Sequence, residues 1–198
     1  MADVFISRKI FNEALEVLKK DKIEFLMNES DEHISKQQLI KNIGDVRGLI
    51  CFLTDTVDDE VMEAAPKLKV ISNVAAGFDN IDITSAKRHG IIVTNTPGVL
   101  TDTTAELAFA LMISAARRLV EADKFVREKR YRGWELMQPH LGIDLRGKVL
   151  GVVGIGRVGL SLARSALLGF NMRIIYYDEL QCKEIDALGG RLVKFDEL

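Results

Sequence analysis

Along the first hundred residues, short apolar runs alternate with stretches of helical spacing. Val4–Ser7, Ile23–Asn28, Gly48–Leu53, Val70–Ala75 and Ile91–Asn95 each read as a buried strand of about five residues. Between the first two, Phe11, Leu15 and Leu18 form one face of a helix, with Glu13, Glu16, Lys19 and Lys20 turned outward. Leu39, Ile40 and Ile43 repeat the pattern, as do Val61, Met62 and Ala65. One short helix per crossover predicts a parallel sheet with helices on both faces.

The rhythm changes at Thr96-Pro97-Gly98, where two chain breakers precede a helical stretch from about Thr101 to Arg130. Leu107, Leu111, Ala115, Leu119 and Phe125 supply its apolar positions. Thr103 and Glu106 have the spacing of a capping box, and Asp102 places negative charge at the positive end of the helix dipole. A helix of about 28 residues would run roughly 42 Å. That exceeds the needs of a small domain, so it is expected to join two domains, pack a partner subunit, or both. A polar loop with Tyr131, Trp134, Pro139 and His140 follows. Then a second α/β run is predicted: strand Val149–Val153, helix Arg157–Leu168, strand Arg173–Tyr177, helix near Cys182–Leu188 and strand Arg191–Phe195. The expected domains are residues 1–98 and 99–198.

Composition narrows the function classes. Twenty-seven basic against 29 acidic residues give a formal charge of −2, which offers no basic field for nucleic acid or acidic lipid. Cys51 and Cys182 cannot form a disulfide framework, and neither has a CxxC partner for zinc or redox work. The first residues lack the basic-then-apolar layout of a secretory signal. The longest nearly apolar stretch, Leu107 to Ala116, is too short to cross a bilayer. A soluble, cytoplasmic protein is expected.

The densest chemistry lies in Gly154-Ile155-Gly156-Arg157-Val158-Gly159, a GxGxxG. A β-rich run leads directly into it and a helical pattern follows without a break. In that context Gly154 permits a tight turn, Gly156 admits a pyrophosphate close to the backbone, and Gly159 lets helix and strand approach. The N–H groups of Arg157 and Val158 would face an anion at a helix N-terminus. Asp178 ends the next strand, where a carboxylate holding the adenosine ribose is expected. Its charge would repel a 2′-phosphate, and Glu179 and Leu180 beside it bring no cation. NAD(H) is therefore expected over NADP(H).

Four segments together carry a family resemblance: Asn73–Asp82, Gly90–Glu106, Arg117–Asp123 and Asp144–Gly159. In order and wording they resemble the D-isomer-specific 2-hydroxyacid dehydrogenases. Thr-Pro-Gly-Val-Leu-Thr-Asp (residues 96–102) is most similar to glyoxylate/hydroxypyruvate and 2-ketogluconate reductases. The resemblance implies a flavodoxin-like substrate domain, then a Rossmann domain incomplete in this chain, with an active site in the cleft between them. It implies that Ala76 and Gly77 hold the substrate carboxylate through backbone N–H groups, that Thr104 touches the cofactor near the nicotinamide, and that Ile155, Gly156, Arg157 and Val158 bind the pyrophosphate. A homodimer through helix 101–130 is implied as well.

The family's chemistry also uses an Arg, a Glu and a His in its C-terminal portion, and no residue of this chain matches them. His33, His89 and His140 fall outside the family's catalytic motifs and are expected to be surface or structural. Arg117-Arg118 is expected on a solvated or salt-bridged face. The chain is expected to be part of a longer enzyme, inactive by itself, with strand Val149–Val153 exposed on the side where a fourth Rossmann strand would lie. The reaction implied is reduction of a small 2-keto acid to the D-2-hydroxy acid. A nucleotide-sensing corepressor and a phosphoglycerate or D-lactate dehydrogenase of the same family are the alternatives.

Overall fold

The structure is a computed structural model describing residues 2–198. The chain divides into two compact units, the first ending at Val99 and the second beginning at Leu100.

The first unit holds strands β1 (Val4–Ile6), β2 (Phe25–Met27), β3 (Gly48–Cys51), β4 (Val70–Asn73) and β5 (Ile92–Thr94). Helices α1 (Asn12–Lys20), α2 (Lys36–Ile43), α3 (Asp59–Glu63) and α4 (Ile83–His89) alternate with them. The strands pair in parallel in the order β2-β1-β3-β4-β5, the flavodoxin-like arrangement. Phe5, Leu49 and Ile71 bury on the sheet against Leu39, Ile43 and Met62. Local signals set the helix ends. Ser35 and Gln38 close a capping box on α2, Asp58 and Asp82 accept the N–H groups of Val61 and Ser85, and Gly90 ends α4 in the left-handed conformation. Phe11 departs from the expected pattern. It occupies the N-cap of α1 and stands exposed, leaving Leu15 as that helix's buried residue.

In the second unit the single helix expected over 101–130 is two, α5 (Thr101–Ala116) and α6 (Leu119–Arg127). The break has a tertiary cause. The Ala116 carbonyl accepts the N–H of Ile143 at 2.8 Å, and Arg118 turns into the left-handed region at φ 51°. The close approach of residues 142–143 leaves no space there: a Cβ on Gly142 would lie 2.5 Å from that carbonyl oxygen. The capping box is also absent. Leu100 is the N-cap, without a side-chain bond, and Thr103 and Glu106 lie inside the helix. Arg117 and Arg118 pair with Asp144 and Glu121, as a salt-bridged face should.

Strands β6 (Val149–Val153), β7 (Arg173–Tyr177) and β8 (Arg191–Leu192) pair in parallel in that order, with α7 (Arg157–Phe170) and α8 (Lys183–Ala187) as crossovers. The last strand is shorter than expected: it ends at Leu192, and Phe195–Glu197 forms a 3-10 turn. Val152, Ala163, Ala166, Ile174 and Ile185 form the core. Helix α5 packs on α7 through Phe109, whose ring meets Phe170 edge-on at 5.1 Å. Its Leu107 and Leu111 face outward and are exposed. Among the described residues no helix is long and apolar enough to cross a membrane.

Candidate functional site

In the second unit the three glycines of the β6–α7 turn are needed for three different reasons. Gly154 takes φ +86°, which L side chains rarely adopt. Gly159 permits close packing, since a Cβ there would lie 2.1 Å from the Gly154 carbonyl oxygen. Gly156 has ordinary dihedrals, and a Cβ on it would meet nothing within 4 Å. Its bare backbone therefore leaves space that no protein atom uses.

Gly156 is also the N-cap of α7 and brings no side-chain cap. Among the described residues no acceptor meets the N–H groups of Arg157 and Val158. A 14-residue helix thus opens on unspent donors at its positive end, which can take an anion. Ile155 is different: its N–H donates to Asp178 Oδ2 at 2.8 Å. Asp178 Oδ1 accepts the Leu180 N–H at 3.3 Å. These backbone donors, Ile155 first, hold the Asp178 carboxyl below its ordinary value. Thr104 stands exposed on α5, with its N–H donated to the Leu100 carbonyl.

In the first unit, Ala76 and Gly77 lie exposed in the turn after β4. The N–H groups of Ala76, Gly77 and Phe78 meet no acceptor among the described residues. The carboxylate of Asp79 lies beside them, 3.3 Å from where a Gly77 Cβ would be. Behind the turn runs a polar network that sequence reasoning missed. Buried Ser7 donates to buried Asp55, which also accepts the Phe52 N–H at 2.9 Å. Asn80 donates to the carbonyls of Phe52 and Asp55, and buried Asn73 donates to Asn80 and to the Gly77 carbonyl. The available signal was a polar residue at the carboxyl ends of four of the five strands, Ser7, Asn28, Asn73 and Asn95, where ligands of such sheets bind.

Other reactive side chains have structural roles. His89 Nε2 meets Asp59 at 2.9 Å and ties α4 to α3. His33 is exposed, 3.7 Å from Asp55 Oδ1, and His140 stacks edge-on against Phe125. Cys51 is buried, and burial pushes its thiol up to about 12, so it is no nucleophile. No cluster of metal-ligating side chains occurs among the described residues.

The chain is 44% identical over 98% of its length to a glyoxylate reductase of Korarchaeum cryptofilum, and equally so to one of Thermococcus litoralis. It spans 58% and 60% of those proteins. A crystal structure of the TT0316 protein from Thermus thermophilus superposes with a TM-score of 0.89 at 36% identity, over 98% of this chain and 60% of that one. A glyoxylate reductase from Paecilomyes thermophila superposes at 0.80 with 27% identity, over 99% and 61%. The model of the D-isomer specific 2-hydroxyacid dehydrogenase catalytic domain matches residues 4–185. The chain belongs to the D-isomer specific 2-hydroxyacid dehydrogenase family.

Proposed function

We propose that this chain provides the substrate-carboxylate loop and the dinucleotide turn of an NAD(H)-dependent reductase of small 2-keto acids, of the glyoxylate or hydroxypyruvate class. One observation carries the reading: an uncapped helix start and a carboxylate are fixed on the same glycine turn by the Ile155–Asp178 bond. The residues fit a dinucleotide. Gly156 leaves its face open, Arg157 and Val158 offer N–H groups to the pyrophosphate, and Asp178 offers its oxygens to the ribose hydroxyls. Gly154 and Gly159 hold the turn's shape, and Thr104 would lie toward the nicotinamide. A bound nicotinamide would supply the hydride for reduction of the keto carbon.

In the other unit the N–H groups of Ala76 and Gly77 would bind the keto acid's carboxylate. The names of the relatives favour glyoxylate as substrate. NAD(H) is preferred because the Asp178 carboxylate, held on the glycine turn, would repel a 2′-phosphate, and Glu179 and Leu180 beside it bring no cation. A homodimer is proposed through the exposed Leu107 and Leu111 of α5 with Leu119 and Val120 of α6. Fluorescence titration of the polypeptide with NADH and NADPH tests the cofactor reading. Saturable NADH binding, at least tenfold tighter than NADPH and abolished by Asp178→Ala, is expected. Absence of NADH binding, or equal affinities, would reject it.

A further inference from the structure

We propose that Asn95 and Asn73, the latter braced by Asn80, are positioning residues that aim the amide donors of the 75–78 turn at the substrate carboxylate. The inference rests on the proposed reading of Ala76 and Gly77. Three successive carbonyls of this turn are each tied back by a donor from another part of the unit. Ala75 accepts the N–H of Thr96 at 2.9 Å, Ala76 accepts Asn95 Nδ2 at 2.7 Å, and Gly77 accepts Asn73 Nδ2 at 2.9 Å. No cis peptide bond occurs among the described residues, so in each planar peptide of the turn the N–H points opposite the preceding carbonyl. Pulling the oxygens of residues 75, 76 and 77 toward the protein therefore turns the N–H groups of Ala76, Gly77 and Phe78 the other way. All three of those N–H groups are without an acceptor among the described residues.

The tethers have fixed ends. Asn95 and Thr96 follow β5, so the neighbouring strand of the sheet sets their place. Asn73 ends β4 and is 2% exposed, with each of its amide hydrogens committed: one to Gly77, the other to Asn80 Oδ1 at 2.9 Å. Asn80 in turn spans to the Phe52 and Asp55 carbonyls at 3.0 Å each. On its other side Asn73 Oδ1 accepts the thiol of Cys51, 3.5 Å away. The amides of Asn73 and Asn80 make three bonds each and neither can flip without losing them, so the Gly77 carbonyl direction, and with it the donor direction, is over-determined. An acid at position 73 or 95 would retain the shape and lose the donor.

The test is a titration of the ¹⁵N-labelled polypeptide with oxamate, a carboxylate-bearing keto acid mimic, following the amide signals of residues 76–78. Wild type is expected to shift at these amides. Asn95→Asp, at a half-exposed site, should weaken oxamate about tenfold while leaving the melting temperature and NADH affinity unchanged. Asn95→His, which restores a ring N–H near the same place, should recover most of the affinity. Asn73→Asp should weaken binding further if it folds, and Asn95→Asp carries the test if it does not. Unchanged oxamate affinity in Asn95→Asp would overturn the positioning role while the carboxylate reading stands. A wild type whose 76–78 amides do not respond would overturn that reading and this inference together.

Discussion

The N–H of Ile155 donates to the carboxylate of Asp178 across 2.8 Å, locking the end of β7 onto the glycine turn that follows β6. This bond does more than brace a loop. It fixes the separation between the helix start that would hold a diphosphate and the carboxylate that would hold a ribose, before any ligand arrives. Preorganisation of that kind lowers the ordering cost of binding.

The three glycines of the turn should separate by experiment. Gly156→Ala has room for its methyl group, so the melting temperature of the free protein should change little, while NADH affinity falls at least tenfold. Gly159→Ala drives a methyl group into the Gly154 carbonyl and should lower the melting temperature as well. Calorimetry with and without NADH reads both. A Gly156→Ala protein that binds NADH normally would contradict the assignment of that open face.

Acidification should undo the Ile155–Asp178 lock. Backbone donors depress the Asp178 carboxyl, so its contribution to stability is complete above the ordinary carboxylate range and is lost as pH falls through the depressed value. Asp178→Asn removes that titration. The difference in melting temperature between wild type and Asp178→Asn should therefore be constant near neutrality and shrink on acidification. A difference that grows toward low pH would show the sign to be wrong.

Tyr176 tests the packing of the same unit. Its buried hydroxyl donates to Asp186 Oδ1 at 2.9 Å and accepts the Cys182 N–H at 2.9 Å, joining β7 to the N-cap and the body of α8. Tyr176→Phe keeps the ring and strands both partners, which should cost about 1–3 kcal/mol in denaturant unfolding. Loss of less than about 0.5 kcal/mol would mean water replaces the hydroxyl.

The apolar row on α5 and α6 predicts self-association. Leu107 and Leu111 are 60% and 61% exposed, and Val120 is 74% exposed. Sedimentation equilibrium should give twice the 22.1 kDa chain mass, and Leu111→Arg should return it to the monomer. A wild-type monomer at micromolar concentration would exclude this surface as a dimer contact.

The elements legible in the sequence are those whose causes are local. Strands β6 and β7 fall on the expected residues, because short runs rich in apolar and aromatic residues, VLGVV between Gly147 and Gly154 and RIIYY after the left-handed Asn171, have few other solutions. The glycine turn was legible for the same reason: a positive φ at Gly154 and a close approach at Gly159 are demands on single residues. The Asp178 position followed from β7, which ends one residue before it. What escaped were effects of residues distant along the chain. Periodicity continues smoothly through Arg117 and Arg118, and nothing nearby announces that Ile143 will take the Ala116 carbonyl and end the helix there.

The sequence alone determined the alternation of strands and helices, the family motifs and the glycine turn, since dihedral preference and side-chain period act within a few residues. Tertiary structure decided where the long helix breaks, which leucines of α5 face outward, and how Asn73, Asn80 and Asn95 converge behind one turn. The helix break and the convergence of the asparagines depend on partners remote in the chain, such as Ile143 with Ala116, Asn95 with Ala76 and Asn80 with Phe52, and such partners meet only when the fold brings them together.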